Sequence, residues 1–277
     1  MSFNSVNTNR QAVFALQSLN YTNGELSGVQ KRVSTGYRVA DAKDDGGAFA
    51  VAQAVRSNAA GVTAVNEQLG GVKGVLQTTF ASLSTVSDTM KQVRATLTRL
   101  ADGAINGDQR TQYETQYQLL TTQISDFIDD ATYNGRTLLS TDTAAGGGDI
   151  TGIRNESGGT FTVTAVDGED LKLTTTAPAD SDAAGDMIES GGDFDLVDKA
   201  ISSALNSFGA SMQYVENQII YNSKKVDAMN DGLGALVDAD LARESAKLQA
   251  LQTRQQLGIQ TLSLANQGPQ VLLSLFR

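Results

Sequence analysis

The chain has 277 residues, of which 40% are hydrophobic and 6% aromatic, and it contains no Cys, His or Trp. Without His or Cys the common zinc, copper and haem ligand sets are missing, Ser-His-Asp and Cys-His nucleophiles are excluded, and no disulfide framework can form. The formal net charge of −10 is uneven: residues 141–198 hold 13 acidic residues against Arg154 and Lys172, so the rest of the chain is close to neutral and shows no broad basic face for nucleic acid.

The first ten residues, Met1 to Arg10, lack a basic region followed by an apolar run, so no Sec-type signal peptide is expected. No apolar stretch is long enough to span a bilayer, and membrane insertion is not expected. Ala12, Ala15, Leu19, Thr22, Leu26, Val29 and Val33 then keep heptad spacing, which predicts a moderately apolar helix. The strongest periodicity follows: Val51, Val55, Asn58, Val62, Val65, Leu69, Val72, Leu76, Thr79, Leu83, Val86, Met90, Val93, Leu97 and Leu100 alternate steps of four and three without a slip. That is a coiled-coil seam in one long helix, about 75 Å at 1.5 Å per residue. A shorter stripe runs Tyr113, Tyr117, Leu120, Ile124 and Phe127.

The middle differs in kind. Gly146-Gly147-Gly148, Gly158-Gly159 and Gly191-Gly192 break helices. Phe161 to Val166 alternates like a strand, Asp167-Gly168 supplies a turn, and Leu171 to Thr174 offers a return strand, which together read as a hairpin. A second seam then runs Ile201, Leu205, Phe208, Met212, Val215, Ile219, Asn222, Val226, Met229, Leu233 and Leu236. Asn58 and Asn222, polar within their seams, are read as register-fixing positions. Near the end Leu241 and Leu248 lie seven apart, as do Leu257, Leu264 and Val271.

The expected fold is mainly α: an elongated coiled-coil-like helical bundle forming a rod with both termini at one tip, and a small β-hairpin insert in the middle. Residues 1–45 form an N-terminal helix, 46–140 the first half of the rod, 141–192 a small acidic β-containing insert, 193–236 the second half of the rod, and 237–277 a C-terminal helix. The seam positions assigned to the rod core are Val51, Val55, Val62, Leu69, Leu76, Leu83, Met90, Leu97, Leu205, Met212, Ile219 and Val226. No catalytic constellation, metal site or cofactor is expected. Asp44-Asp45-Gly46-Gly47 reads as a helix-opening turn with carboxylates at the positive helix end rather than a metal loop. Asp193, Asp195 and Asp198 fail calcium-loop spacing.

Three motifs resemble bacterial flagellin, the flagellar filament subunit, in a short form without large outer domains. Val33-Ser34-Thr35-Gly36-Tyr37-Arg38-Val39 with Ala42-Lys43-Asp44-Asp45-Gly46-Gly47 is similar to the family's N-terminal motif. Tyr133-Asn134-Gly135-Arg136-Thr137-Leu138-Leu139 is similar to its aromatic-Asn-Gly segment. Ala265-Asn266-Gln267-Gly268-Pro269-Gln270, ending Leu272 to Arg277, resembles its C-terminus. The matches cover roughly 1–140 and 195–277. The resemblance implies a structural protein, not an enzyme, exported by the flagellar type III apparatus and placed outside the cell in the filament. It implies terminal helices that are disordered in the monomer and order as coiled coils on assembly. The assembly residues would be Ala12, Ala15, Leu19, Leu26, Val29 and Val33 at one end, and Leu241, Leu248, Leu257, Leu262, Leu264, Val271, Leu272 and Leu275 at the other. Implied partners are other copies or sister flagellins, a secretion chaperone at the C-terminal helix, and the filament cap and hook-associated proteins. A hook–filament junction protein is the alternative within the same axial family. A carboxylate-dependent hydrolase is the alternative outside it, and would need a concave pocket that two coiled rods and a short insert hardly provide. Members sensed by the innate immune receptor for flagellin carry flanking charges around a central apolar-Arg pair. Here Gln92, Val93, Arg94 and Ala95 keep the pair and lose those charges, so weak receptor activation is expected. Ser157, Thr160, Thr162, Thr164, Thr174, Thr175 and Thr176 are candidate acceptors of O-linked sugar in the outer region.

Overall fold

The computed structural model describes the backbone of residues 9–274 and the side chains of residues 9–267. Within them the chain is mainly α, with five long helices, one short helix and a two-stranded antiparallel sheet. The long helices are α1 (Arg10–Thr35), α2 (Gly46–Leu100), α3 (Gly107–Asp129), α5 (Asp193–Val237) and α6 (Leu241–Ser274), and α4 is Ser181–Ile188. The strands are β1 (Ile150–Ile153) and β2 (Thr160–Val163).

Five of the six helices, all but α5, start where a short polar side chain can take up an orphan backbone N–H. Asn9 Oδ1 accepts from Ala12 N at 3.1 Å, Asn106 Oδ1 from Gln109 N at 2.9 Å and Asp180 Oδ1 from Ala183 N at 2.8 Å. Asp45 does the same for Ala48 at the start of α2, and Asp240 for Ala242 and Arg243 at the start of α6. Gly36, at φ 75°, ends α1 in the left-handed conformation that a Cβ would penalise, with its N–H bonded to Arg32 O.

The chain divides into two compact units, residues 1–57 with 228–277, and residues 58–227. In the larger unit, every α2 seam position from Val62 to Leu100 is buried. α3 returns antiparallel along α2, as Ser82 Oγ donates to Phe127 O and Arg110 to Leu100 O. α5 also runs antiparallel to α2, with Lys73 Nζ 2.9 Å from Glu216 Oε1 and Asn66 Nδ2 donating to Ile219 O. Tyr117, Ile124, Ile201, Phe208 and Val215 join the α2 seam in one core. Its hydroxyl tied to Thr174 O, Tyr117 is so enclosed that burial raises its pKa to about 12.

The hairpin is not where the alternation pointed. β1 pairs with β2 in the register Ile150 to Val163 and Ile153 to Thr160, so the turn lies at 154–159 and the return strand precedes the expected one. After β2 the chain is captured by the core instead of pairing: Val166 N donates to Leu138 O, and a Cβ on Gly168 would lie 2.4 Å from Leu139 O. Leu171 and Leu173 are buried, so their alternation reports contact with the helical core and not a ladder. The expected insert also contains α4, capped by Asp180 and carrying Gly185 within it.

The hairpin turn is pinned to α5. Gln218 Nε2 and Asn222 Nδ2 both donate to Arg154 O, Glu156 pairs with Lys225, and Phe161 stacks on Tyr214 with ring centroids 4.2 Å apart. Asn222, 1% exposed, therefore fixes a hairpin against a helix. Asn58, by contrast, is exposed.

Candidate functional site

The smaller unit is built on one antiparallel helix pair, α1 against α6. Asn9 Nδ2 donates to Ala265 O at 2.7 Å, Gln255 Nε2 donates to Asn23 Oδ1 at 2.8 Å, and Arg32 Nε lies 3.1 Å from Glu244 Oε2. Small residues bring the backbones close: a Cβ on Gly258 would stand 3.2 Å from Leu19 Cδ1. Ala12, Ala15, Leu19, Leu26, Val29 and Val33 lie along one buried or half-buried face of α1. From α6, Leu248, Leu251 and Leu262 lie on the corresponding face. Among the described residues, Leu26, Val29 and Leu251 form the buried apolar cluster of this pair, with Val33 and Leu248 packed against it.

The same pair also exposes large apolar side chains. Val13, Phe14, Leu16 and Tyr21 are exposed on α1, and Leu241, Leu257, Ile259 and Leu264 on α6, with Phe14 and Leu264 each 70% open. The apolar residues of α6 are spread around the helix and not gathered on one side. A helix apolar on more than one side needs more than one neighbour. Among the described residues, a core of three buried apolar side chains beneath eight exposed large hydrophobics is weak support for a lone helical pair and a large contact surface for other molecules.

The loops that close this unit are tightly organised. Ala239 N donates to Gly36 O, Arg38 N to Val237 O, and Tyr37 bridges Asp238. Val39, Ala52 and Val237 are buried together beside Phe49 and Leu233. Lys31 Nζ sits 2.7 Å from Asp41 and 2.8 Å from Asp44, and Asp44 Oδ2 also accepts from Ala40 N at 3.0 Å. The Lys31 hydrogen bonds hold both carboxyls below their usual range, and Lys31 is raised in return, chiefly by Asp41. The conspicuous acidic turn at 41–45 is thus a clasp on α1 and a cap on α2. Among the described residues, no three acidic side chains converge as they would to hold a metal ion.

A model of the bacterial flagellin N-terminal helical region matches residues 6–144, and one of the flagellin C-terminal helical region matches residues 194–276. The chain belongs to the bacterial flagellin family. It is 39% identical to flagellin FljN of Caulobacter vibrioides over the full length of both chains. It is 32% identical to a flagellin of Brucella melitensis, covering 99% of each. A solved structure of a flagellar hook-associated protein from Vibrio parahaemolyticus shares its fold, at 13% identity and a TM-score of 0.56, covering 70% of this chain and all of that one. This flagellin is therefore a self-polymerising structural subunit of the extracellular flagellar filament, with only residues 145–193 between its two matched helical regions. No described helix is long and apolar enough to cross a membrane.

Other predicted positions distribute unevenly in this flagellin. Val62, Leu69, Leu76, Leu83, Met90 and Leu97 are buried, and Leu205, Met212, Ile219 and Val226 are half-buried. Val51 is 51% exposed and Val55 half-buried, because near its start α2 buries Ala52 and Ala59 instead. Leu257 and Leu264 are exposed on the far side of α6, Leu248 and Leu262 are half-buried toward α1, and Leu241, in heptad register with Leu248, is exposed at the start of the helix. The side chains of Val271 and Leu272, and all of Leu275, lie outside the described residues. Val93 is buried, Gln92 and Ala95 are exposed, and the Arg94 guanidinium lies 5.7 Å from the centre of the Phe194 ring. Ser157, Thr160, Thr162, Thr164, Thr174, Thr175 and Thr176 are all exposed, with Thr162 hydroxyl 3.1 Å from that of Thr151. Sequence reading missed Leu251, Gly258, Phe14, Tyr21 and Ile259. Two interleaved stripes on α6 were the available signal, read as one.

Proposed function

We propose that this flagellin polymerises by burying the outward faces of α1 and α6 against neighbouring copies, while their inward faces pair within the chain. The observation that carries this is the imbalance, among the described residues, between three buried apolar side chains inside the pair and eight large exposed ones on it. Such a pair gains most of its burial on assembly, so in the monomer the terminal segments are disordered and order on joining the filament. Residues 1–45 and 237–277 are then the assembly segments, and 46–140 with 193–236 the helical body carrying the 141–192 insert.

The family supports export through the flagellar type III apparatus, for which a Cys-free chain with weakly ordered ends is suited. A secretion chaperone would cover the apolar faces of α6 before export, the cap protein would fold the chain at the tip, and hook-associated proteins and sister flagellins would present the same kind of surface. The chain has no catalytic role in this reading. Receptor activation is weak, since Gln92 and Ala95 offer no charge and Arg94 already faces Phe194. The exposed Ser and Thr set from Ser157 to Thr176 is the candidate sugar-bearing region, which intact mass against sequence mass would decide.

Truncation tests the assembly account. Chains lacking 1–30 or 257–277 should fail to extend sheared filament seeds while keeping most of their helical circular dichroism. Filaments from either truncated chain would refute it.

A further inference from the structure

Three Asn-Gly pairs occur in the chain, at 23–24, 106–107 and 134–135, and the fold treats them differently. Asn-Gly is chemically labile because glycine offers no side chain to keep its backbone nitrogen from the neighbouring amide carbon. Asn23 lies inside α1, its Oδ1 held by Gln255 Nε2 at 2.8 Å, and the Gly24 N–H belongs to the helix ladder. Asn106 caps α3, its Oδ1 held by Gln109 N at 2.9 Å. Asn134 is different. It is exposed at φ 49° in a two-residue turn closed by Tyr133 N to Arg136 O and Arg136 N to Tyr133 O. Neither its side-chain amide nor the Gly135 N–H has a hydrogen-bond partner among the described residues.

We propose that Asn134 is a spontaneous modification site, at which the exposed Asn134-Gly135 turn converts to aspartyl and isoaspartyl forms while Asn23 and Asn106 are protected by their helices. The Gly135 nitrogen bonds to Asn134 Cγ and gives up its proton. The bond from Cγ to the amide nitrogen breaks, and ammonia leaves. Water then opens the cyclic imide. Opening at Cγ leaves aspartate in an unchanged backbone. Opening at the main-chain carbonyl leaves isoaspartate, with the backbone lengthened by one methylene through Cβ and Cγ. The turn's two hydrogen bonds slow the first step, because they must open for the nitrogen to reach Cγ.

The two products differ in consequence. Aspartate tolerates the left-handed conformation of residue 134 much as asparagine does. Isoaspartate cannot keep the Tyr133 to Arg136 spacing. Tyr133 rests on α2 so closely that a Cβ on Gly74 would stand 2.7 Å from its Cζ, so lengthening the turn disturbs a contact with the main helix of the larger unit. The chemistry needs only water, and an extracellular filament is exposed to it for as long as the filament lasts.

The test is peptide mapping by mass spectrometry of the purified full chain, incubated at mildly alkaline pH in heavy-oxygen water. A parallel sample is unfolded in urea. Conversion at Asn134 should exceed that at Asn106, in the same folded unit, by at least about tenfold, with the two rates converging in urea because only local opening separates them. The new residue should separate chromatographically into two forms, of which only isoaspartate accepts a methyl group from a protein isoaspartyl methyltransferase. Equal folded-state rates at Asn106 and Asn134 would overturn the proposal, as would an Asn134 that stays intact while the unfolded chain converts.

Discussion

Gly258 is the residue on which the closeness of α1 and α6 turns. A Cβ there meets the end of a flexible Leu19 side chain at 3.2 Å, so Gly258→Ala should be accommodated by a small shift of that leucine. A Leu at the same position overfills the seam and should cost about 1–3 kcal/mol, the usual range for overpacking. Comparing polymerisation yield of the two variants checks this, with assembly kept by Ala and reduced by Leu. Lys31 supports a second prediction. Its two carboxylate partners are depressed, so the stability of the clasp is fully present above the ordinary carboxylate range and is lost as pH falls through the lowered values. Lys31→Met should move the titration midpoints of Asp41 and Asp44 upward toward ordinary carboxylates, as read by carboxyl carbon NMR. Unmoved midpoints would show that the backbone N–H groups, and not Lys31, hold them down.

At the scale of elements, α2 and α6 make opposite demands on a sequence reader. The α2 seam was legible from Val62 to Leu100 because one face meets one continuous core, so burial and heptad spacing coincide. The same spacing misled at Val51 and Asn58, which are exposed while the small Ala52 and Ala59 beside them are buried. α6 was only partly legible. Its leucines serve two faces, and sevenfold spacing alone cannot say which face meets the partner within the chain. The hairpin was misplaced for a related reason: Leu171 and Leu173 alternate because a helical core covers them, and β1 begins in a Gly- and Asp-rich stretch with little strand character. The Arg154 turn, held by Gln218 and Asn222, gives a prediction at this scale. Asn222→Leu removes a donor and buries the loss, which should destabilise the larger unit by about 1–3 kcal/mol in chemical denaturation. It should leave filament formation from folded chain intact, since no assembly face is touched.

For the whole molecule, the proposed division of labour is between a unit that folds on its own core and a unit whose core other copies would complete. Residues 58–227 contain the extensive cluster running from Val65 to Val215, whereas among the described residues the α1 and α6 pair closes over a cluster of three buried apolar side chains. Filament stability should therefore depend on the outward faces far more than monomer stability does. Burying a Phe or Leu side chain contributes about 1.5–3 kcal/mol, and in a helical polymer every subunit repeats the contact. The most direct test is seeded polymerisation of a chain carrying Phe14→Asp and Leu257→Asp, both on exposed faces, followed by electron microscopy, with the thermal transition of the monomer measured alongside. The account predicts loss of filaments with a monomer transition close to that of the unaltered chain. Long filaments at the normal yield would contradict it, because the outward apolar faces would then not be what joins one copy to the next.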